Sequence, residues 1–384
     1  MKTILFDLWQ AQPQNGYKYH GGGEYIKSIF KMFVDCFENK CVLTVFFDSN
    51  LFLDEWILNS LKGKKIAIVN VSKISDIQTL LDESSYDVFF SGLPYLYKNI
   101  KIPENTVYVG TIHGLRALEL SYDNNAFVYF KTLQSWKLRI KSLFKKTWLK
   151  KRKSDLQKCI ENMKSVICVS NHTKYAIKNF FPNINKPVEC YYTPPKVIAN
   201  ASMGNTDITS KFILLIGCDR FEKNSYRAIV ALNGLFDKNL LPEYKVVTIG
   251  KLPNKIERTI KYKDKFVCYN YISTEKLEGL YASCDFFLYP TLNEGFGMPP
   301  LEAMKYGKTC VVSGVCSLPE VCGNAVYYCN PYDINEIQNR ILMASEKKID
   351  KEKVLSHLRL INAKQNADLD GLCRYLLNIK KKDV

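Results

Sequence analysis

Short apolar segments alternate with amphipathic, helix-like segments along the first half of the chain. The apolar segments are too short for helices and are rich in β-branched and aromatic residues. They predict strands at residues 3–8, 42–48, 65–71, 87–91, 107–113 and 166–170. Because strands that alternate with helices form right-handed βαβ units, the first half is expected to build a parallel sheet.

A second series of the same kind follows a polar, turn-rich stretch at residues 193–210, which is predicted to be a linker. The strands of this series are predicted at 212–217, 245–250, 266–272, 286–290, 309–313 and 325–329. With 384 residues the chain exceeds what one core usually holds, so two domains are expected, at 1–195 and 196–384. The fold class is therefore α/β, with two doubly wound, Rossmann-like domains facing one another across a cleft. The last helical pattern, at residues 353–381, is long enough for its end to pack back onto the first domain.

The segment from residue 293 to residue 307 carries the most informative chemistry. An apolar strand is predicted just before it, so that the carboxyl end of the strand delivers Glu294 into a crevice. Gly295 and Gly297 let the backbone turn sharply and present N–H groups to a ligand. A proline pair then suits the first turn of a helix, and Glu302 is expected in that first turn. A carboxylate there is also favoured by the helix dipole without any ligand.

Glu294 and Glu302, separated by seven residues in a Gly-Phe-Gly-x-Pro-x-x-Glu-Ala context, resemble the E-x7-E motif of retaining glycosyltransferases of family GT4. Members of that family have the two-domain GT-B fold. The resemblance implies that Glu294 meets hydroxyls of the donor sugar and that Glu302 holds the ribose diol of the nucleotide. An ionised carboxylate accepts hydrogen bonds through two oxygens and can bind both hydroxyls of a diol. The donor site is expected to include the intervening residues Gly295, Phe296, Gly297 and Met298.

Fixed cations are expected beside the donor diphosphate, because a departing nucleoside diphosphate accumulates negative charge. Arg220 and Lys223 follow the predicted strand that ends at Gly217, close to the start of a helix. GT4 enzymes are similar here, with a glycine, a short loop, then an arginine and a lysine. This implies a donor-binding role for Gly217 and a catalytic role for Lys223. Arg220 is assigned by its chemistry, since the family's arginine stands in a different register.

The first half contains two further candidates at predicted strand ends. Gly21, Gly22 and Gly23 follow the first strand and precede an amphipathic helix, so their backbone N–H groups suit phosphate oxygens. In GT4 enzymes a Gly-Gly loop at this place closes over the donor diphosphate, and Gly22 and Gly23 match it. His113 ends a strand where the family has a histidine near the anomeric centre. In the second half, Tyr271, Ile272 and Leu277 match the region that frames the nucleotide base.

Composition and charge narrow the compartment and the partners. Thirteen cysteines without a Cys-x-x-Cys pair suggest reduced thiols in a cytoplasm, and no signal peptide or membrane span is visible. The net charge of +16 calls for an anionic partner. Residues 131–153 combine basic side chains with an apolar stripe at helical spacing, which predicts contact with the inner face of an anionic plasma membrane. A helix packed on its own domain is the alternative, and nucleic acid is not the expected partner.

The function that these patterns indicate is transfer of a sugar, with retention, from a nucleotide-diphosphate sugar to a hydroxyl of a glycan or lipid-linked acceptor. Bacterial envelope polysaccharide or glycolipid synthesis is the setting suggested by family analogy. The chain has one Asp-x-Asp triplet, Asp368 and Asp370, which falls in a helical segment away from any strand end. No essential metal or other cofactor is therefore expected. The alternatives are a GT-B nucleotide-sugar epimerase and a non-catalytic basic protein that binds membrane or nucleic acid.

Overall fold

The computed structural model describes residues 1–14, 18–120, 123–130, 144–196, 206 and 208–380. The chain forms two compact units. The first comprises Met1–Leu115, Lys150–Ile198 and Asn362–Val384, and the second comprises Arg116–Leu149 and Ala199–Ile361. Most of the predicted linker and residues 131–143 of the predicted basic stripe lie outside the described residues.

The first unit is built on a seven-stranded sheet in which all neighbouring strands pair in parallel, in the order β3-β2-β1-β4-β5-β6-β7. The central strand is apolar throughout its middle, and Ile4, Leu5 and Phe6 are fully buried. Burial on both faces is what a sheet covered by helices requires. The strands are β1 (Lys2–Asp7), β2 (Cys41–Phe47), β3 (Ile66–Asn70), β4 (Val88–Ser91), β5 (Val107–Ile112), β6 (Ser165–Cys168) and β7 (Val188–Cys190).

The second unit repeats this plan with a six-stranded parallel sheet in the order β10-β9-β8-β11-β12-β13. In both sheets the strand order reverses beside the first strand of the series, which is the arrangement of doubly wound folds. The strands are β8 (Phe212–Ile216), β9 (Lys245–Ile249), β10 (Phe266–Tyr269), β11 (Phe286–Tyr289), β12 (Thr309–Ser313) and β13 (Tyr327–Cys329).

Helices connect the strands in both units. Up to the end of the first sheet they are α1 (Gly21–Met32), α2 (Glu55–Leu61), α3 (Ile74–Glu83), α4 (Arg116–Glu119), α5 (Lys145–Asn162) and α6 (Asn171–Phe180). From there on they are α7 (Ser225–Asp237), α8 (Asn254–Glu257), α9 (Thr274–Ser283), α10 (Met298–Met304), α11 (Leu318–Cys322), α12 (Ile334–Glu346) and α13 (Lys351–Asn378). Two short 3₁₀ helices, Asn124–Tyr129 and Phe221–Lys223, matter for the site described below.

The predicted fold class of two Rossmann-like α/β domains is confirmed, and every predicted strand is present with ends shifted by a few residues. The largest shift is at β10, which ends at Tyr269 and leaves Tyr271 and Ile272 in the following loop. The sequence analysis did not predict β7. Its three residues include Glu189 and carry too short an apolar pattern to be recognised, and the strand forms at the sheet edge beside β6.

The division into units differs from the predicted boundaries at residues 116–149, and it also places the residues from Asn362 onward in the first unit. The described residues between 116 and 149 were expected in the N-terminal domain, but they group with the second unit. Tyr129 from this segment is buried in the hydrophobic core of the second unit, among residues such as Ile229 and Leu232 of α7. Burial of this aromatic ring is a reason for the segment to join the second unit.

Helix α13 contributes to both units, since its residues through Ile361 belong to the second unit and those from Asn362 belong to the first. Within the first unit, the Tyr375 hydroxyl lies 2.7 Å from the Ser165 hydroxyl, and Gln365 donates to the Thr193 carbonyl at 2.6 Å. Asp368 accepts a hydrogen bond from the Tyr192 amide at 2.9 Å. The Asp-x-Asp triplet therefore lies on the part of the helix that packs within the first unit.

No helix among the described residues is both long enough and apolar enough to cross a membrane.

The close packing around β5 generates a stability prediction. A Cβ at Gly110 would lie 2.2 Å from the Met163 sulfur and 2.9 Å from Pro94 Cβ. Gly110→Ala should therefore destabilise the protein by about 1–3 kcal/mol through overpacking of a buried strand. Gly21→Ala is the control, because a Cβ there would meet nothing within 4 Å. Denaturant unfolding followed by circular dichroism measures both variants, and equal midpoints would contradict the prediction.

Candidate active site

The candidate site lies where the strand order of the second sheet reverses. Strands β8 and β11 are neighbours, with Phe286 opposite Ile213, and both run in the same direction. The carboxyl ends of both strands therefore lie at the same edge of the sheet. The two connections that follow them leave this edge in opposite directions. Open parallel sheets bind ligands in the crevice at such a point. The connection after β8 carries Lys223, and the connection after β11 carries Glu294.

Lys223 and Glu294 form an ion pair at this edge. The ammonium donates hydrogen bonds to Glu294 Oε1 and to the Tyr289 hydroxyl. Tyr289 in turn donates to Glu294 Oε1 at 2.6 Å, and the Thr291 hydroxyl donates to the same oxygen at 3.1 Å. The side chains of Lys223 and Glu294 are only 8% and 13% exposed. Three donors therefore fix one carboxylate oxygen, while Oε2 accepts no hydrogen bond from the described residues.

Electrostatics keep Glu294 ionised in this enclosed place. Burial opposes ionisation, but the nearby ammonium of Lys223 and the hydrogen bonds from Lys223 and Tyr289 outweigh it, so the pKa of Glu294 is lowered. The guanidinium of Arg220 lowers the pKa of Glu294 further. Burial lowers the pKa of Lys223, against the attraction of Glu294. The site thus combines a held carboxylate with a partly desolvated cation, which strengthens electrostatic interactions with a ligand.

Local backbone geometry aims Lys223 and Arg220 at the same region. Gly217 has a φ of +65°, a conformation that favours glycine, and it ends β8 with a sharp turn. A Cβ on Gly217 would lie 3.1 Å from Lys223 Cγ and 3.4 Å from the Arg220 guanidinium. The structure therefore brings these three predicted residues together. Arg220 itself is 47% exposed and has Glu222 as its ion-pair partner at 3.8 Å.

The loop after Glu294 turns into α10 through a second left-handed glycine. Gly297 has a φ of +104°, and a Cβ there would lie 2.6 Å from Leu318. The Ser317 hydroxyl donates to the carbonyls of Glu294 and Phe296 at 3.0 and 2.8 Å, which fixes the loop containing Gly295 and Phe296. Helix α10 then begins at Met298, earlier than the sequence suggested.

Glu302 consequently lies beyond the first turn of α10, and the expectation of a first-turn glutamate is wrong. The two prolines lie in the first turn, and the helix begins at Met298 because Gly297 supplies the left-handed cap. Glu302 Oε2 accepts a hydrogen bond from the Tyr281 hydroxyl at 3.0 Å. Phe287 stands between Tyr281 and Tyr289, with ring centroids 5.4 and 5.5 Å away. Each glutamate is therefore held by a tyrosine from one aromatic cluster.

The predicted base-binding residues lie at the carboxyl edge of the same sheet, after β10. Tyr271 is 78% exposed in the loop, and Ile272 is half-buried beside it. Ser273 caps α9 by accepting from the Lys276 amide, and Leu277 follows in the first turns of that helix. The structure places them in the second unit with Glu294 and Lys223, as β10 and β11 belong to one sheet.

In the first unit, Gly21, Gly22 and Gly23 form the first turn of α1 instead of a loop before it. The Gly23 amide donates to the ring of His20 at 3.1 Å, so His20 caps the helix. A Cβ on Gly22 would lie 2.7 Å from Leu93, which shows how closely the backbone approaches its neighbours. The expectation that all the glycine amides are free for a ligand is therefore wrong for Gly23.

His113 follows β5 at the carboxyl edge of the first sheet. Its Nε2 lies 2.8 Å from the Gly92 carbonyl, and its ring packs edge-on against Tyr25. Burial lowers the pKa of His113 to about 4, although the hydrogen bond to Gly92 opposes this shift. The imidazole is therefore neutral at physiological pH. The contacts described for His113 lie within the first unit.

Several residues of the site were not predicted from the sequence. Tyr289 and Thr291 complete the hydrogen bonds to Glu294, and their polar groups at the end of an apolar strand were the available signal. Arg116 of α4 pairs with Glu222, and Asn293 donates to Glu119 Oε2 at 3.0 Å. These contacts join residues more than 100 positions apart in the chain. Local sequence patterns carry no signal for such pairs.

Comparisons with known proteins show similarity to glycosyltransferases. Residues 202–359 match the family described as glycosyl transferases group 1. The serotype-specific mannosyltransferase WbdA of Escherichia coli is 30% identical over 191 residues, which cover 46% of this chain and 23% of WbdA. The O-antigen chain mannosyltransferase B of Escherichia coli is 46% identical over 74 residues, or 19% of each chain. The chain thus spans less than a quarter of the length of these curated relatives.

Solved structures extend the likeness to the whole chain. Anabaena Alr3699/HepE, crystallised in complex with UDP and glucose, has a TM-score of 0.66 at 13% identity, covering 99% of this chain and 100% of that one. Sucrose-phosphate synthase from Thermosynechococcus elongatus has a TM-score of 0.64 at 12% identity, covering 98% and 97%. At such low identity these structures establish the fold. The chain therefore has the GT-B fold, and its residues 202–359 are similar to glycosyl transferases group 1.

Proposed function

We propose that this protein is a retaining glycosyltransferase that moves a hexose from a nucleotide-diphosphate sugar to a hydroxyl of a growing polysaccharide or lipid-linked glycan. The observation that carries the proposal is the enclosed Lys223–Glu294 pair at the reversal point of the second sheet. The family match covers both residues, and the names of the relatives above favour mannose as the sugar and O-antigen-like polysaccharide as the product.

Each charged group has a separate part in the proposed reaction. Lys223 and Arg220 stabilise the negative charge that develops on the departing diphosphate, and backbone N–H groups of Gly217 and the Gly295–Gly297 loop add to this field. Glu294 binds a hydroxyl of the sugar through Oε2, since its other oxygen is already held. Glu302 binds the ribose diol. These roles need charge and position alone, so the proposal includes no essential metal.

Retention follows in this proposal from displacement on one face of the sugar. The bond between the anomeric carbon and the leaving phosphate oxygen breaks as the acceptor oxygen approaches from the same side. The departing phosphate oxygen takes the proton of the acceptor hydroxyl, so that no strong general base is required. His113 is proposed to lie near the anomeric centre as a neutral group, in keeping with its lowered pKa. Tyr271, Ile272 and Leu277 are proposed to frame the base.

Contact with an anionic membrane is a second proposal, and it concerns the start of α5. Phe144 and Trp148 are 63% and 39% exposed, and they stand among exposed basic side chains. Lys146, Lys150 and Lys151 belong to this basic surface. Exposed aromatic rings among lysines suit the headgroup region of a bilayer. Such contact would hold the enzyme on the cytoplasmic face, next to a lipid-linked acceptor.

Donor binding can be tested before any acceptor is known. Nucleotide sugars that bind the native state should raise its melting temperature, because binding only to the folded form stabilises it. A panel of UDP-, GDP- and ADP-linked mannose and glucose identifies the preferred base and sugar. Glu302→Gln should reduce the shift given by the free nucleoside diphosphate as well as by the donor. The absence of any shift across the panel at millimolar concentration would contradict the proposed function.

Replacing the central lysine tests the chemistry. Lys223→Ala should lower kcat by about 10²–10³, the effect of losing one preorganised electrostatic contact. It should also raise the pKa of Glu294, because burial then acts without the opposing ammonium. The acid limb of the kcat profile should accordingly move to higher pH. Product analysis with and without acceptor distinguishes transfer from epimerisation.

Lys238→Ala is the matched control for the lysine variant, since Lys238 is an exposed lysine at the end of α7. It should leave kcat and its pH profile unchanged. A Lys223→Ala enzyme with turnover within about threefold of wild type would refute the assigned role, as the expected loss is far larger. Turnover that a chelator abolishes and magnesium restores would refute the metal-free reaction.

Vesicle binding tests the membrane proposal. Replacing Lys146, Lys150 and Lys151 by glutamine should weaken binding to phosphatidylserine vesicles by about tenfold or more, because each basic residue contributes about 1 kcal/mol. Sedimentation with the vesicles measures the bound fraction. Replacement of three lysines that are exposed elsewhere, Lys238, Lys347 and Lys353, by glutamine is the control, because it removes the same charge. Equal binding of both variants, or equal binding to neutral vesicles, would contradict the proposal.

A further inference from the structure

The turn that follows Lys223 has an unusual backbone conformation. Asn224 is a non-glycine residue with φ 61° and ψ 31°, and it is only 1% exposed. The left-handed region is unfavourable for residues with a Cβ, and asparagine tolerates it because its side chain can form local hydrogen bonds. Lys223 ends one helical turn and α7 begins immediately after Asn224. Asn224 therefore forms the turn between the 3₁₀ helix that ends at Lys223 and α7.

Hydrogen bonds of the Asn224 side chain tie this turn to the strand that carries Glu294. Its amide nitrogen donates to the Pro290 carbonyl at 2.9 Å and to the Pro331 carbonyl at 2.7 Å. Pro290 directly follows β11 and precedes Glu294 by four positions. The amide group of Asn224 thus sets the separation between the backbones that bear the ammonium and the carboxylate.

The amide oxygen of Asn224 is held from the other side. Arg227 Nη1 donates to Asn224 Oδ1 at 3.1 Å and to Asp123 Oδ2 at 2.6 Å. The side chains of Arg227 and Asp123 are 10% and 6% exposed. A guanidinium this deeply buried requires a counter-charge, and breaking such a pair leaves an uncompensated charge. Asp123 therefore holds Arg227 in the place from which it orients the Asn224 amide.

Asp123 is itself held in place by the segment around it. Its Oδ1 accepts from the Asn125 amide at 2.9 Å and caps the 3₁₀ helix Asn124–Tyr129. At the other end of that helix, the Tyr129 hydroxyl accepts from the Tyr226 amide at 2.8 Å and lies 3.1 Å from the Ser225 hydroxyl. The short helix is thus fixed at both ends to the first turn of α7.

We propose that Asp123 is a positioning residue for Lys223, acting through Arg227 and Asn224. The proposal rests on the proposed function in one respect, that Lys223 stabilises the leaving diphosphate. The alternative is that the Asp123–Arg227 pair contributes only to folding stability. The two differ in their consequences, because positioning alters the reactivity of Lys223 in molecules that are fully folded.

Steady-state kinetics give the first test. Asp123→Asn removes the counter-charge and should lower kcat by about tenfold, equivalent to 1.4 kcal/mol of transition-state stabilisation. In the Lys223→Ala background the same change should have no further effect on kcat, since Lys223 is then absent. Asp237→Asn, which removes an exposed carboxylate paired with Lys261, should leave kcat unchanged. Equal effects of Asp123→Asn in both backgrounds would overturn the proposal.

A second test needs no turnover. Acetylation of Lys223 by acetic anhydride, followed by mass spectrometry, should be slow in the wild type because the amine is buried and paired. Asp123→Asn should raise the rate at Lys223 by about threefold or more, in proportion to the fraction of time that the pair is open. Lysines remote from the site serve as internal references. An unchanged rate at Lys223 in a folded Asp123→Asn protein would overturn the proposal even if no donor were bound.

Arg227→Lys keeps the test decisive should Asp123→Asn fail to fold. It retains a cation for Asp123 but lacks the planar guanidinium that contacts Asp123 and Asn224 together. It should therefore reproduce the loss of kcat and the faster acetylation of Lys223. Asp123→Glu keeps the carboxylate, so its kcat and its acetylation rate should lie between those of Asp123→Asn and the wild type. Wild-type values of kcat and labelling in Arg227→Lys would overturn the proposal. Failure of the wild type to bind any nucleotide sugar would instead refute the proposed function and leave the labelling result standing.

Discussion

The geometry of the candidate site depends on one interaction, the ion pair between a lysine that follows β8 and a glutamate that follows β11. Removing two charges from water costs several kcal/mol per ion, and mutual attraction offsets this only with good geometry and further hydrogen bonds. Tyr289 and Thr291 supply those further bonds to one oxygen of Glu294. Two apolar side chains at these positions would cost less free energy to bury than the ion pair does. The presence of the charges is therefore best understood through the sugar-nucleotide donor that they are proposed to bind.

Much of the surrounding structure exists to hold these two charges at a fixed separation. Glycines with positive φ at 217 and 297 turn the chain out of β8 and into α10. Ser317 fixes the loop after the glutamate, and Asn224 fixes the turn after the lysine. In the proposed reaction, the cations and the carboxylate consequently need little rearrangement when a charged donor binds. Preorganisation of this kind is the main source of electrostatic catalysis in enzymes.

Patterns local in sequence revealed the architecture and the principal charged residues. The alternation of apolar and amphipathic segments located the strands, because central strands such as β1, β5 and β11 are continuous apolar runs buried on both faces. The sequence likewise identifies Glu294 and Glu302 by their spacing and Lys223 by its position after Gly217, since short connections after strands carry such residues. The edge strand β7 and the beginning of α10 could not be predicted. Val188–Cys190 is too short to be recognised as a strand, and the left-handed Gly297 moves the start of the helix.

Long-range pairings lay beyond the reach of sequence reasoning. Nothing near Asp123 indicates that its partner is Arg227, or that Tyr129 is buried in the core of the second unit. Such partners are chosen by the folded geometry, in which residues about 100 positions apart become neighbours. The same reason explains why residues 116–130 were expected in the wrong domain. They lie in the sequence between β5 and β6 of the first sheet, but Tyr129 is buried in the core of the second unit.

Helix α13 has a consequence for the order in which the protein is assembled during synthesis. The first unit includes the stretch from Asn362 onward, and Cys373 and Leu376 of that stretch are fully buried. A nascent chain therefore lacks part of the first unit's core until the residues after Asn362 have been synthesised. Domains generally fold in the order in which they emerge from the ribosome. Here the second unit can complete its core first, and the first unit completes its core only when the end of α13 has been made.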